Sequence, residues 1–322
     1  DGTEDDGILS FGAKVSFHGG EYSARVVNDA GDEGGPGKDT NAIITIISQG
    51  SYRNAHTTLI STVAMNRIPD FTGAVNLVGR AATRFGNDSF LIDGRDYLLS
   101  DVGRPSGPSV PHAGISVSDV VSANEVKERI VKSLTPDQMD NIPGSEPSPS
   151  VSVSTAVTKR SIKDLVDSLK RVADSTIINP ADTLSTSGPD NSITIGSQSF
   201  SLGTAGSPKL SYISRPSGGS ITLNGSGCGV LIVEGDNLCL KPNMHFAGLV
   251  LLVGNNIVID DSATPTGLDL YGGLVIADMS RDSGGYDLVL TGRSRILYSR
   301  EALDQARDYL ARKKRYTVLW WQ

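Results

Sequence analysis

GVLIVEG (229–235) recurs as GLVLLVG (248–254) and again as GLVIADM (273–279). Aligned on their first glycines, the three copies stand 19 and then 25 residues apart, and SATPT (262–266) accounts for the longer interval. After each copy comes a second short apolar run: NLCL (237–240), NIVI (256–259) and DLVL (287–290). A third run then follows: MHF (244–246), LDL (268–270) and RILYS (295–299). A unit of strand, turn and strand repeated at short period cannot bury its face alone, and stacking on its neighbours supplies the core. The pattern predicts a right-handed parallel β-helix, a β-solenoid, with Val, Leu and Ile laddered inside and glycines at the corners.

Working outward, GAVNLVG (73–79) matches GLVLLVG, with FLIDG (90–94) where a second strand belongs. The solenoid is therefore expected over 71–300. ITIG (193–196), FSLG (200–203) and ITLNG (221–225) read as irregular coil edges within it. From 119 to 175 the period changes to 3.6. Ser122 and Glu125 form a capping box ahead of Val126, Ile130 and Leu134, and Pro136 stops that helix. Ser161 and Asp164 open a second helix, with Ile162, Leu165, Val166, Leu169 and Val172 on its apolar stripe. This segment is a helical excursion from the solenoid. Past Ser299, an N-cap residue, Ala302, Leu303, Ala306 and Leu310 predict a helix over 301–315 that lids the open end.

The first 70 residues differ. ILSF, AKVSF, YSARVV, AIITII and TTLISTVAM are β-branched runs bounded by turn residues, and they predict an antiparallel meander. The last run, YTVLWWQ (316–322), has no partner nearby in sequence and is expected to return to that sheet. The fold class expected is mainly β: a solenoid joined to a meander, with two or three short capping helices.

The composition narrows function. Basic residues number 29 against 36 acidic, so a general phosphate-binding surface is disfavoured. No run of 18 apolar residues is present to span a bilayer as a helix. The start at Asp1, without Met, reads like the interior of a longer protein. G-x-S-x-G, P-loop and H-E-x-x-H motifs are absent, and His18, His56, His112 and His245 are scattered. Several clusters remain. Asp29, Asp32 and Asp39, with Glu33 and Asn41, offer the hard oxygens Ca²⁺ prefers, but they lack EF-hand spacing and also read as a solvated hairpin loop. Cys228 and Cys239 share one coil; they read either as two small core residues or as a disulfide formed in an oxidising compartment. Their columns are expected to continue through Ala247 or Gly272 and through Val258 or Val289. Arg312, Lys313, Lys314 and Arg315, beside Tyr316, Trp320 and Trp321, complement a helix dipole or contact nucleic acid. Asp260, Asp261, Asp278, Arg281 and Asp282 are the residues a glycan-cleaving β-helix enzyme would use, though Asp is also an ordinary turn residue.

The order of the segments carries a resemblance. YSARVVND, DTNAIITIISQGSYRNAHTTLISTV, TGAVNLVG, NDSFLIDGRDY, HAGISV, GCGVLIVEGDNLCL, FAGLVLLVG and ILYSREAL, closed by a tryptophan run, resemble the PilX-type pilus assembly proteins. These are minor pilin-like proteins of bacterial type IV pili. The resemblance implies a non-enzymatic role in pilus assembly or at the fibre tip, with other minor pilins as partners. It also implies an N-terminal membrane helix that is not in this chain, hence an inner-membrane-anchored periplasmic domain or a place in the extracellular pilus. DNA or a surface glycan is a further expected partner. The alternatives are a DNA-binding pilin of a competence system and a secreted polysaccharide lyase or hydrolase of the β-helix class. No catalytic residue or cofactor belongs to the first reading.

Overall fold

The computed structural model describes residues 8–10, 14–28, 43–65, 68–79, 82–86, 89–106, 110–262, 267–280, 287–313 and 316–321. The chain is mainly β, with a large multi-stranded sheet and a few short helices. It divides into two units, residues 1–67 with 310–322 and residues 68–309.

The first unit is an antiparallel sheet. Gly20–Asn28 pairs with Ile43–Tyr52, which pairs with Ala55–Met65. Ile8–Ser10 and Val15–Phe17 both join the outer side of Gly20–Asn28. At the opposite edge Tyr316–Trp321 lies antiparallel to Ala55–Met65. Strand alternation places Val26, Ile44, Ile46 and Val63 on one face, because Val26 stands opposite Ile46 and Ile44 opposite Val63. Of the described side chains in this sheet, Val63 alone is buried.

The second unit is built from three parallel ladders. The first runs, in spatial order, through Ser175–Ile178, Lys209–Ser214, 229–234, 248–253, 272–277, Gly73–Val78, Ala113–Val117 and Val151–Val153. The second joins 183–185, 219–223, 238–242, 258–260, 288–290 and 83–85. The third joins 224–228, 243–247, 268–272, 295–298 and 91–93. Five repeats, those that begin at 73, 209, 229, 248 and 272, visit all three in turn. The first ladder is apolar at almost every position because both of its faces are covered, the pattern typical of buried parallel sheets.

Helices supply the outer cover. α1 (Val120–Ser133) packs near 113–117 and 151–153, and α3 (Lys159–Leu169) packs near Leu268–Asp278. Between them is a single turn, α2 (Pro136–Met139). α4 (Arg300–Arg312) sets Leu303 over Gly273, where an added Cβ would come within 3.5 Å of Leu303 Cδ2. α4 therefore lies along the flank of the first ladder rather than lidding an end. Helix starts also shift from expectation. Asp119, not Ser122, caps α1, and its carboxylate accepts from Ser122 N at 2.9 Å. Thr158, not Ser161, caps α3, while Pro136 sits at the first position of α2 instead of only ending α1. Ser299 Oγ accepts from Ala302 N, a cap for α4.

Four features of the ladders differ from the sequence pattern. Gly248 pairs with Gly272, not Gly273, so the third repeat is aligned one residue earlier. A one-residue slip exchanges the two faces of a strand, and here it puts Tyr271 rather than Gly272 in the column of Cys228 and Ala247. Leu91–Asp93 belongs to the third ladder, and Thr83–Phe85 supplies the second. Ser192–Ile195 and Gln198–Ser201 form an antiparallel hairpin, not coil edges. The stacking order also departs from chain order: Gly73–Val78 sits between 274–277 and Ala113–Val117.

Glycine governs the corner between the third and first ladders. Gly229, Gly248 and Gly272 stack in register with φ of +118°, +130° and +142°. A Cβ on Gly248 would lie 2.0 Å from Gly229 O, and one on Gly272 would lie 1.9 Å from Gly248 O. At the opposite corner Asn237 and Asn256 both take φ of 51°, and Asn256 Nδ2 donates to Asn237 Oδ1 at 3.0 Å. Asparagine tolerates this left-handed conformation better than other side chains, which repeats the turn without glycine.

Gly248→Ala is expected to cost the second unit about 3 kcal/mol or more, combining backbone strain with a clash no rotamer relieves. Gly206→Ala, where an added Cβ meets nothing within 4 Å, is the matched control. Urea unfolding of the two variants checks this, and equal midpoints would contradict it.

Candidate functional site

The outward row of the third ladder holds the most polar cluster. Ser226, His245, Asp269 and Arg295 stand opposite one another on successive strands. His245 Nδ1 lies 3.1 Å from Asp269 Oδ2, and Arg295 Nη2 donates to the same oxygen at 2.8 Å. Burial works to raise the Asp269 carboxyl, but His245 and Arg295 outweigh it and hold the group below the usual range. Arg295 also donates to Tyr271 Oη, and Tyr271 packs with Tyr97 and Leu297 beneath the loop that follows Asp93. Asp93 is fully buried; Arg95 binds both of its oxygens and Tyr97 Oη donates to it at 2.6 Å. The row orients an imidazole, yet Ser226 makes no hydrogen bond to His245, so an activated nucleophile is not assembled.

A second cluster is buried. Asp278 and Asp287 are each 2% exposed. Asp287 Oδ2 accepts from Ala82 N at 2.7 Å, and Asp278 Oδ1 accepts from Ser280 N at 2.8 Å and Asn256 N at 3.2 Å. Lys159 Nζ donates nearby to Ser280 O at 2.7 Å. Burial pushes the Asp287 carboxyl up to about 7, and the charge and hydrogen bond of Asp278 reinforce it. The amide of Ala82 and the charge of Lys159 pull the other way. The pair can share a proton near neutrality, but its burial keeps it from any substrate.

The other sequence candidates are dispersed. Asp261 is fully buried, its Oδ1 accepting from Thr291 N (2.8 Å) and Gly292 N (2.9 Å) and its Oδ2 from Ser294 N (3.3 Å). Asp260 Oδ1 accepts from Ser262 N at 2.9 Å. Asp260 and Asp278 thus close turns on their own backbone, whereas Asp261 ties down the 291–294 turn of the next repeat. Arg281 and Asp282 lie outside the described residues, as do Asp29, Asp32 and Asp39 and also Lys314 and Arg315. Among the described residues no group of three metal-ligating side chains forms. Arg312 is exposed in the last turn of α4, and Lys313 N donates to Leu310 O at 3.1 Å.

Cys228 and Cys239 are both free thiols. Cys228 is buried opposite Ala247, and Cys239 stands on the second ladder between Ser220 and Val258. Val289 stands opposite Asp260 instead. Burial pushes both thiols up, and the charge of Asp260 adds to the effect on Cys239. His112 stacks on Tyr298 with centroids 4.1 Å apart, and burial followed by the charge of Arg300 lowers its pKa. The acid pair was missed in the sequence because Asp278 and Asp287 flank a variable loop and share no spacing motif.

The acid pair has a thermodynamic consequence. An Asp at about 7 in the fold and 3.8 as its ordinary value binds a proton more tightly when folded. Its stabilising contribution is full below about pH 4 and is lost as pH rises toward 7. Asp287→Asn keeps an acceptor for Ala82 N and removes the charge. The variant should be more stable than the parent at pH 8, by about 1–4 kcal/mol, with the difference vanishing near pH 4. Thermal or urea unfolding across this range tests it, and a pH-independent difference would count against it.

No protein-family profile matches the chain, and no curated protein matches it. Among solved structures, the crystal structure of the competence-associated pilin ComZ from Thermus thermophilus aligns with 98% of this chain and 87% of its own. The identity is 14% and the TM-score 0.23, a likeness too slight to carry an argument about function.

Proposed function

We propose that the chain is a minor pilin-like component of a bacterial type IV pilus, acting in pilus assembly or near the fibre tip. The observation that carries this reading is the antiparallel sheet of the first unit. One face bears Val26, Ile44, Ile46 and Val63 and the other Val27, Ile47 and Ile60, and of these only Val63 is buried. An apolar sheet face is stable when another layer covers it. In a pilin-like protein an apolar helix provides that layer, and the neighbouring surface meets other pilins. The order of segments from YSARVV to the tryptophan run supports the same reading.

The second unit, in this reading, is a right-handed β-solenoid that presents a partner-binding surface away from the membrane. Three parallel ladders visited in turn support it. Among the described residues, a competence role with DNA contact has Arg312 and Lys313 in its favour, against a net charge of −7 for the chain. A glycan-cleaving enzyme is disfavoured by the backbone hydrogen bonds that occupy Asp260, Asp261 and Asp278.

Pull-down of the full chain with the other minor pilins of its own genome is the direct test. Co-purification with at least one is expected, and Ile46→Glu, which places a charge on the face of Val26 and Val63, should abolish it. Failure to bind any of them would sink the assembly reading; retardation of DNA at low salt by the same protein would favour the competence reading instead.

A further inference from the structure

At one end of the antiparallel sheet, two hairpin tips lie side by side. One turns at His18 and Gly19, the other at Arg53 and Asn54, and both His18 and Arg53 take left-handed φ, 46° and 55°. Tight two-residue hairpin turns demand that conformation. The strand ends flanking them belong to the face that carries Val26, Ile44 and Ile46, but lie beyond those residues toward the tips. Tyr22 stands opposite Gly50, and Tyr52 stands opposite Gly20. On the next strand Thr57 faces Gly50 and Ala55 faces Tyr52. Alternation puts all six residues on one face. Two rings therefore rise diagonally from a floor of glycine and alanine, at the roughly 7–8 Å spacing of diagonal cross-strand neighbours.

The result is a shallow concavity of about 560 Å³. Tyr22 is 46% exposed and Tyr52 50%, high values for aromatic side chains outside an interface. The Tyr52 ring lies over Gly20, where a Cβ would come within 3.4 Å of Cδ2, and Arg53 Cζ sits 5.3 Å from its centroid. The ring is thus held in place on an open rim. His18, Glu21, Ser51 and His56 complete the lining; Glu21, Ser51 and His56 stand opposite one another, so alternation directs their side chains to the other face, and Thr57 with the two tyrosine hydroxyls supplies donors and acceptors beside the rings.

We propose that this concavity binds the pyranose rings of an uncharged, β-linked glycan. The chemistry selects that class. Equatorial hydroxyls leave flat C–H faces on a β-linked pyranose, and these stack on tyrosine while the hydroxyls hydrogen-bond to a mixed rim. Lys14 pairs with Glu21 at 3.6 Å and Arg53 lies over the Tyr52 ring, so the rim gathers no cluster of like charges to match a phosphate or a divalent cation. The floor is too shallow to enclose an apolar small molecule. A β-1,4-linked chain is a flat ribbon and spans the two tyrosines without bending.

Saturation-transfer NMR of the full chain with cellotriose tests this. Saturable transfer to the sugar ring protons is expected at up to about 10 mM ligand. Tyr22→Phe/Tyr52→Phe should bind within about threefold of the parent, whereas Tyr22→Ala/Tyr52→Ala should lose at least about tenfold. Gly50→Leu, which raises the floor and leaves both rings, should also abolish transfer. Thermal melts establish that each variant is folded. Absence of saturable transfer with the parent overturns the proposal, as does binding that survives both the alanine pair and the filled floor.

Discussion

Three glycines let one backbone pass within contact distance of the next, and the second unit depends on that approach. Gly229, Gly248 and Gly272 stand in register at a corner where any side chain would strike a carbonyl oxygen about 2 Å away. Because the chain can turn there in a single residue, 219–234 and 238–254 run as nearly unbroken strands through all three ladders. The apolar runs that follow, VLIV, LVLL and LVIA, are then fixed in register, and their stacking supplies the core.

Asp261, Asp93 and Asn76, all buried in this unit, are matched to backbone or to charged partners. Asp261 gathers three amides from 291–294, and Asp93 is held by Arg95 and Tyr97. Asn76, 3% exposed, donates to Gly73 O at 2.7 Å inside an otherwise apolar strand. Leaving any such group unpaired would cost about 1–3 kcal/mol, so these pairings hold the turns in one geometry. The acid pair Asp278 and Asp287 adds a tension to that rule: both accept from backbone amides, yet burial and the charge of Asp278 push the Asp287 carboxyl up against the pull of Ala82 N and Lys159.

Much of the mainly β architecture was legible in residue patterns. The runs beginning at Gly229 and Gly248 declared their pairing through identical spacing, and the period change after 119 marked the helices correctly in kind. The one-residue error at Gly272 arose because YGGL offers two adjacent glycines, and only the φ requirement at the corner chooses between them. The caps at Asp119 and Thr158 were misread because Ser122 and Ser161 stand three residues later and fit the same motif. Stacking order was not legible at all. Nothing local in GAVNLVG says that it docks beside 274–277, two hundred residues later, rather than beneath its sequence neighbours. The polar row of His245, Asp269 and Arg295 was equally hidden, since its members meet only once the register is known.

That out-of-order junction is the claim on which the account of the second unit rests. Leu91 and Arg295 stand opposite each other on adjacent parallel strands of the third ladder, one from the beginning and one from the end of this unit. Strands so paired bring Cα atoms to about 5 Å, within disulfide reach. The direct measurement is mild oxidation of the full chain carrying Leu91→Cys and Arg295→Cys, followed by peptide mapping. The account predicts a 91–295 disulfide formed in high yield in the monomer. Reduced thiols at both positions in a folded protein, or cross-links only to other cysteines, would contradict it.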